Sequence, residues 1–282
     1  MANDYPFPKA VDFDNLSARA KKNFDPTGWV LQPKWDGCAL VVTVDSMGNY
    51  TTTTASNKPV YSCDHLAEGV SYWCGPGVYV IEVWSPSTAF QAISGMFRTH
   101  NPQRPLVGKL FDGYRHGKAD SPYSVRMSDI SKVLCSTAVN SAYPMGIPFS
   151  SFDRAWEEAK WWQAQGGYDG CILRNPNAPW VPGRSKGDIV KLKPLTDWDL
   201  QVTGIKADVG EKTGRPTVAL ECAWKAGKKQ FVSTGLTHEE QANAARFIDS
   251  IVTVRGMGLT ADGFIREPRY ITVRDDKLEA DY

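Results

Sequence analysis

The sequence predicts an α+β protein in two parts: a larger domain of antiparallel sheets with helices over residues 1–195, then a small antiparallel β-barrel over residues 196–282. Three observations predict it. Apolar residues make up 42% of the chain and charged residues 22%, which suits packed cores rather than disorder. The first part mixes β-rich runs with a few helical patterns. After Pro194-Leu195-Thr196-Asp197, the best boundary in the chain, short strands dominate and a single helix remains.

Taken in order, a helix is expected around Asn15 to Lys22, and Trp29 to Gln32 reads as a strand running into Pro33-Lys34. Cys38 to Val44 and Tyr50 to Thr54 are β-rich runs joined by Ser46-Met47-Gly48-Asn49, a hairpin signal. Val78 to Val83 and Leu106 to Phe111 are further β-rich runs, and Ser128 to Val139 reads as helical. Asp153 to Gln165 is the clearest helix, with Asp153 as its cap and Gly166 as its left-handed stop. A strand at Cys171 to Arg174, a Pro/Gly-rich loop from Asn175 to Gly187 and a strand at Ile189 to Leu192 complete the first part. Beyond the boundary lie strands at Leu200 to Ile205, Thr217 to Ala223, Gln230 to Ser233 and Tyr270 to Val273. Thr237-His238-Glu239-Glu240 is a capping box that opens a helix to about Ile251. This pattern suits a Greek-key barrel such as the OB-fold; an SH3-like barrel reads similarly.

Composition narrows the function classes. A net charge of +1 lends no support to nucleic-acid binding, so any such face must come from local placement of Lys and Arg. The six cysteines include no C-x-x-C pair, which argues against a zinc site and for reduced thiols in a cytoplasmic protein. Met1 to Pro6 lacks the basic and apolar regions of a signal peptide. No apolar run approaches the ~20 residues of a membrane span.

The chemistry sits at a few positions. Lys34-Trp35-Asp36-Gly37 places a lysine where a strand meets a tight turn; alone, this reads more readily as a surface lysine beside an Asp-Gly turn. A lysine amine is a nucleophile only when neutral, and a cleft holding other cations would lower its pKa. Glu82 closes one apolar strand and Phe111-Asp112 another. Asp169-Gly170-Cys171-Ile172-Leu173-Arg174 repeats the turn-then-strand form, and Lys191-Leu192-Lys193 sets two ammonium groups on one strand face. A nucleophile, two carboxylates, an aromatic ring and paired cations are the inventory that phosphoryl transfer requires.

In this order the motifs resemble those of the covalent nucleotidyltransferases, most closely the short phage- and virus-type ATP-dependent DNA ligases. Lys34 to Gly37 is similar to their motif I, Glu82 to motif III, Phe111 to motif IIIa, and Asp169-Gly170-x-Ile172 to motif IV. Trp180-x-Pro182-Gly183-Arg184-Ser185 with Lys191-x-Lys193-Pro194 is similar to motif V and its approach. Asp262 to Lys277 is similar to the family's C-terminal OB signature. The resemblance covers about Gln32 to Lys277. It implies a nucleotidyltransferase (adenylation) domain followed by an OB-fold, ATP as co-substrate and Mg²⁺ or Mn²⁺ as cofactor. It implies nicked double-stranded DNA as substrate, a monomer, no membrane, and a cytoplasmic place of action, which for a virus-encoded protein is the host cytoplasm. Lys34 would accept AMP, with Lys191 and Lys193 as catalytic cations at the α-phosphate. Gln32, Asp36, Gly37, Glu82, Phe111 and Arg184 would complete the nucleotide site, with Phe111 stacked on adenine and Gln32 at its edge. Glu82 and Asp169 would hold the metal. Arg98, Arg174, Arg266, Arg269, Arg274 and Lys277 would contact pyrophosphate or DNA.

Three positions depart from the family pattern. Ala39 and Ala55 stand where relatives often carry arginine, leaving Arg98, Arg126 or Lys58 as substitutes, and motif IV carries Asp169 in place of Glu. The same motifs also fit an RNA ligase or an RNA-capping guanylyltransferase. Outside catalysis, they fit a nucleic-acid-binding OB-fold protein with relic motifs.

Overall fold

The computed structural model describes residues 5–86, 88–141, 151–209, 214, 216–260 and 262–282; Met1 to Asp4 of the N-terminal segment read above lie outside them. The chain divides into two compact units, Met1–Pro194 and Leu195–Tyr282.

The first unit opens with two short strands, β1 (Pro8–Lys9) and β2 (Val11–Asp12), and a one-turn helix α1 (Ala18–Lys22) capped by the Ser17 hydroxyl. Then come β3 (Val30–Trp35), β4 (Cys38–Val44), β5 (Tyr50–Thr54), α2 (Asp64–Cys74), β6 (Gly77–Trp84), α3 (Phe90–Phe97) and β7 (Val107–Arg115). The unit closes with α4 (Tyr123–Val133), β8 (Val139–Ser141), α5 (Phe152–Ala164), β9 (Tyr168–Arg174), β10 (Gly183–Arg184) and β11 (Ile189–Leu192). One sheet has the order β5-β4-β6-β7-β8 and a second β2-β11-β9-β3, while β1 pairs β10 in parallel.

Alternation of side chains along each strand sorts core from cleft. On β4 and β6, Leu40, Val42, Tyr79 and Ile81 pack in one core with Leu66 and Val70 of α2 and with Met127 and Ile130 of α4. The intervening Val41 and Val80 join Phe7 and Trp180 in a separate cluster, against which Phe111 packs. In the second sheet, Leu31, Leu173, Val190 and Leu192 pack with Ala155 and Ala159 of α5. That leaves Gln32, Ile172 and Lys191 as neighbours across three strands.

The second unit contains β12 (Thr196–Val209), β13 (Pro216–Ala223), β14 (Lys229–Val232), α6 (His238–Ala242), β15 (Ile251–Gly256) and β16 (Arg269–Val273), in the sheet order β14-β13-β12-β15-β16. β12 serves two partners: Thr196–Gln201 pairs β15, and from Val202 onward it pairs β13, with an irregularity between Val202 and Gly204. A strand that changes partner at a bulge lets one sheet curl around its own core. Leu200, Val202, Leu220, Phe247 and Val254 fill that core.

The elements differ from the sequence reading in several places. The helix expected at Ser128 to Val139 is α4, which starts at Tyr123 and stops at Val133, so that Val139 opens β8. Ser151, not Asp153, caps α5; Asp153 sits in the first turn, where its charge suits the helix dipole. The capping box at Thr237 and Glu240 forms, but α6 is only five residues long, and a 3₁₀ turn at Ala244–Phe247 follows it. Asp249 then adopts a φ of +69°, and the β-branched run from Ile251, where the helix was expected to end, forms β15, a strand the sequence pattern does not announce. Helices α2 and α3 were not foreseen.

Candidate active site

A cleft of about 290 Å³ in the first unit is lined by Gln32, Lys34, Glu82, Phe111, Arg174, Lys191 and Lys193, seven site residues expected from the sequence, and by Phe7, Lys9, Ala39, Ala55 and Ile172. Most of the predicted residues reach it through strand alternation. Gln32 and Lys34 leave β3 on the face opposite Leu31, Lys191 leaves β11 on the face opposite Val190 and Leu192, and Lys193 follows immediately after that strand.

Lys34 is half-buried, and its Nζ lies 2.9 Å from Asp169 Oδ2. By simple alternation Asp169 would point with Cys171 and Leu173 towards α5. Gly170, at φ +118°, interrupts that alternation, and the β3–β9 register shifts between Pro33 and Trp35. Gly170 also packs so closely that a Cβ there would lie 2.1 Å from the Leu192 carbonyl oxygen. The buried Asp169 carboxylate thereby meets Lys34 and, at 3.7 Å, Lys193.

Glu82 accepts a 3.1 Å hydrogen bond from the Gly37 N–H. A Cβ on Gly37 would sit 2.2 Å from the Val83 carbonyl oxygen, so the Asp-Gly turn can press against β6 only because residue 37 lacks a side chain. Burial pushes the Glu82 carboxyl up to about 7, against the opposing pull of Lys34 and the Gly37 N–H. For Lys34 burial is again the largest influence and favours the neutral amine. The charges of Asp169, Glu82 and Asp36 together outweigh it, and the amine sits above its ordinary value. The carboxylates nearest the amine thus outweigh both burial and the neighbouring lysines that were expected to lower its pKa.

The aromatic wall is partly pre-assembled. Phe111 meets Phe7 edge-on at 6.2 Å, and its carbonyl accepts a 3.1 Å hydrogen bond from the Tyr123 hydroxyl. Behind it, Asp112 is fully buried between Arg126 at 2.9 Å and Arg174 at 2.5 Å. Arg174 was expected at DNA or pyrophosphate. It is instead buried, paired with Asp112 and set over the rings of Tyr123 and Phe111, because a buried carboxylate requires that partner. Arg126 cannot substitute for a missing arginine, since its guanidinium is spent on Asp112 and the carbonyls of Gly113, Ser121 and Ala178.

Other expected residues lie apart from the cleft lining. Asp36 is half-buried beside Lys34, Arg184 is exposed on β10 opposite Lys9, and Arg98 is exposed at the end of α3. In the second unit Arg274 pairs with Asp199 and Asp276 at 2.8 Å, and Lys277 also pairs with Asp199. Arg269 is exposed and Arg266 half-buried. The sequence reading overlooked Phe7, Lys9 and Tyr123. The only signal at the first two was a Pro-x-Pro stretch that favours extended chain.

Among the described residues no group of three or more His, Cys, Asp or Glu forms a ready metal site, and no helix is long and apolar enough to cross a membrane.

Residues 212–274 match the family model described as DNA ligase OB-like domain. A DNA ligase of Halobacterium salinarum is 31% identical over 142 residues, covering 40% of this chain and 25% of that protein. A DNA ligase of Halorubrum lacusprofundi is 26% identical over 186 residues, covering 56% of this chain and 30% of that protein. The chain therefore spans less than a third of these relatives' length in either alignment. A structure from a structure–function study of Lig E DNA ligases superposes with a TM-score of 0.73 at 17% identity, covering 94% of this chain and 99% of that one. The ATP-dependent DNA ligase of bacteriophage T7, in complex with ATP, superposes with a TM-score of 0.56 at 16% identity, covering 96% and 98%. The fold is that of the ATP-dependent DNA ligases, a nucleotidyltransferase unit followed by an OB unit.

Proposed function

We propose that the chain is an ATP-dependent DNA ligase that carries AMP on Lys34 and seals breaks between a 5′-phosphate and a 3′-hydroxyl in duplex DNA. One observation carries the reading: Lys34 shares a single cleft with Glu82, Phe111, Lys191 and Lys193, and is paired with Asp169. In the first step the neutral Lys34 Nζ forms a bond to the α-phosphorus of ATP, the α–β anhydride breaks, and pyrophosphate leaves. Lys191 and Lys193 offset the charge that develops on the phosphoryl oxygens. Phe111 offers a face to the adenine ring and Gln32 an amide to its edge. The phosphoramidate then passes AMP to the 5′-phosphate, restoring the amine, and the 3′-hydroxyl displaces AMP from that phosphate. The chemistry is exchange of a poor leaving group for a good one.

The Lys34 proton must leave before attack, and Asp169 and Glu82 are the groups that retain it. The same two carboxylates suit a Mg²⁺ or Mn²⁺ ion, since Mg²⁺ commonly takes one or two carboxylates and completes its shell with phosphate and water. Such a cation would supply charge neutralisation at the triphosphate and release the hold of both carboxylates on the ammonium. Arg266, Arg269, Arg274 and Lys277 are proposed for pyrophosphate departure or the DNA backbone. We propose action as a monomer in the cytoplasm, which the six free thiols support. Sealing of labelled nicked DNA with ATP and Mg²⁺ tests the reading. Sealed product is expected, and sealing confined to RNA nicks, or none at all, would overturn it.

A further inference from the structure

Tyr123 is fully buried behind the cleft, yet its hydroxyl touches both groups proposed to read the base. It donates to the Phe111 carbonyl oxygen at 3.1 Å and accepts from Gln32 Nε2 at 3.0 Å. A phenol has one proton, and a carbonyl oxygen can only accept. With that proton committed to Phe111, Gln32 must present its NH₂ end to Tyr123, which turns the amide oxygen the other way. Arg174, 4.5 Å over the Tyr123 ring and held by Asp112, braces the phenol in place.

We infer that Tyr123 is a positioning residue for base choice: its hydroxyl fixes the sense of the Gln32 amide so that an oxygen acceptor meets position 6 of the purine. This rests on the adenylating function proposed above. An acceptor there matches the 6-amino group of adenine and opposes the 6-oxo group of hypoxanthine or guanine. The selectivity therefore comes from the direction of one hydrogen-bond chain. Gln32 has no intrinsic preference, because a half-turn of its amide would reverse the match.

The experiment measures transfer of the nucleotide to Lys34 from ATP and from ITP, which carries the 6-oxo group, with KM and rate read separately. The wild type is expected to favour ATP. Tyr123→Phe keeps the ring and removes the chain, so the ATP/ITP preference should fall by about tenfold, the worth of one hydrogen bond. The loss should lie mainly in KM for ATP. In a Gln32→Glu background the carboxylate offers an oxygen whichever way it turns, so adding Tyr123→Phe should leave the preference unchanged. An unchanged ratio in the single variant, or an equal fall in both backgrounds, would overturn the inference and leave Tyr123 a purely structural residue. A wild type that takes no nucleotide would overturn the ligase reading itself, and the inference with it. If Tyr123→Phe does not fold, the wild type provides the readout. The Gln32 side-chain amide protons, identified by their loss in Q32E, should exchange slowly and shift little on adding ATP. A large shift, marking the NH₂ end as the one that meets the base, would contradict the proposal.

Discussion

Replacing Glu82 by glutamine removes a charge from the cleft while keeping an oxygen that can accept the Gly37 N–H. Burial raises this carboxyl to about 7, whereas an unfolded glutamate titrates near 4.5. Below the unfolded value both states hold the proton. Between the two values the folded protein holds a proton that the unfolded chain has lost, so stability falls as pH rises through this window, and the loss is complete above about 7. A shift of about 2.5 units corresponds to roughly 3 kcal/mol. Glutamine does not titrate, so the variant escapes this loss. Relative to the wild type it should gain stability from pH 4.5 upwards, levelling off above 7. For a unit of this size that amounts to roughly 5–10 °C in the melting temperature. Calorimetry of both full-length proteins, free of nucleotide and with chelator present, at pH 5 and pH 8 measures it. A difference that does not change with pH, or a wild type that gains on the variant at pH 8, would refute the reasoning. The same variant should form little AMP adduct at either pH.

Gly37→Ala forces a Cβ to within 2.2 Å of the Val83 carbonyl, so it should cost about 2–3 kcal/mol and slow adduct formation, seen as a lower melting temperature and a smaller burst of pyrophosphate. Lys193→Ala removes a cleft cation rather than core packing; adduct formation should slow by roughly 100-fold with little change in melting temperature. Asp112→Asn leaves two buried guanidinium groups without their counter-charge and should destabilise the first unit by about 3–5 kcal/mol, measured by calorimetry.

Much of the site could be read from local pattern because its residues lie on strands, where a period of two assigns faces. Lys191 and Lys193 on either side of Leu192 are the plainest case, and Ile189–Leu192 forms with the bounds expected. What escaped depends on separations that no local pattern encodes. Asp112, Arg126 and Arg174 meet across 14 and 62 residues of chain, so a surface role for the two arginines was the natural reading. The sign of the Lys34 shift required the position of Asp169, which Gly170 delivers by breaking the alternation that sequence reasoning relies on. Helix α2 was hidden by Gly69 and by an exposed Tyr72-Trp73 pair, which blur the buried stripe of Leu66, Ala67, Val70 and Cys74. Ala39 and Ala55, the positions where the family resemblance led one to expect arginine, do line the cleft, and Lys9 is the unforeseen cation in its lining.

The most direct measurement is the intact mass of the chain after incubation with ATP and a divalent cation, run beside Lys34→Ala. The account requires one adenylyl group on the wild type, mapped by peptide analysis to residue 34, and none on the alanine variant. Adenylation of that variant, or a wild type whose mass never changes, would contradict it.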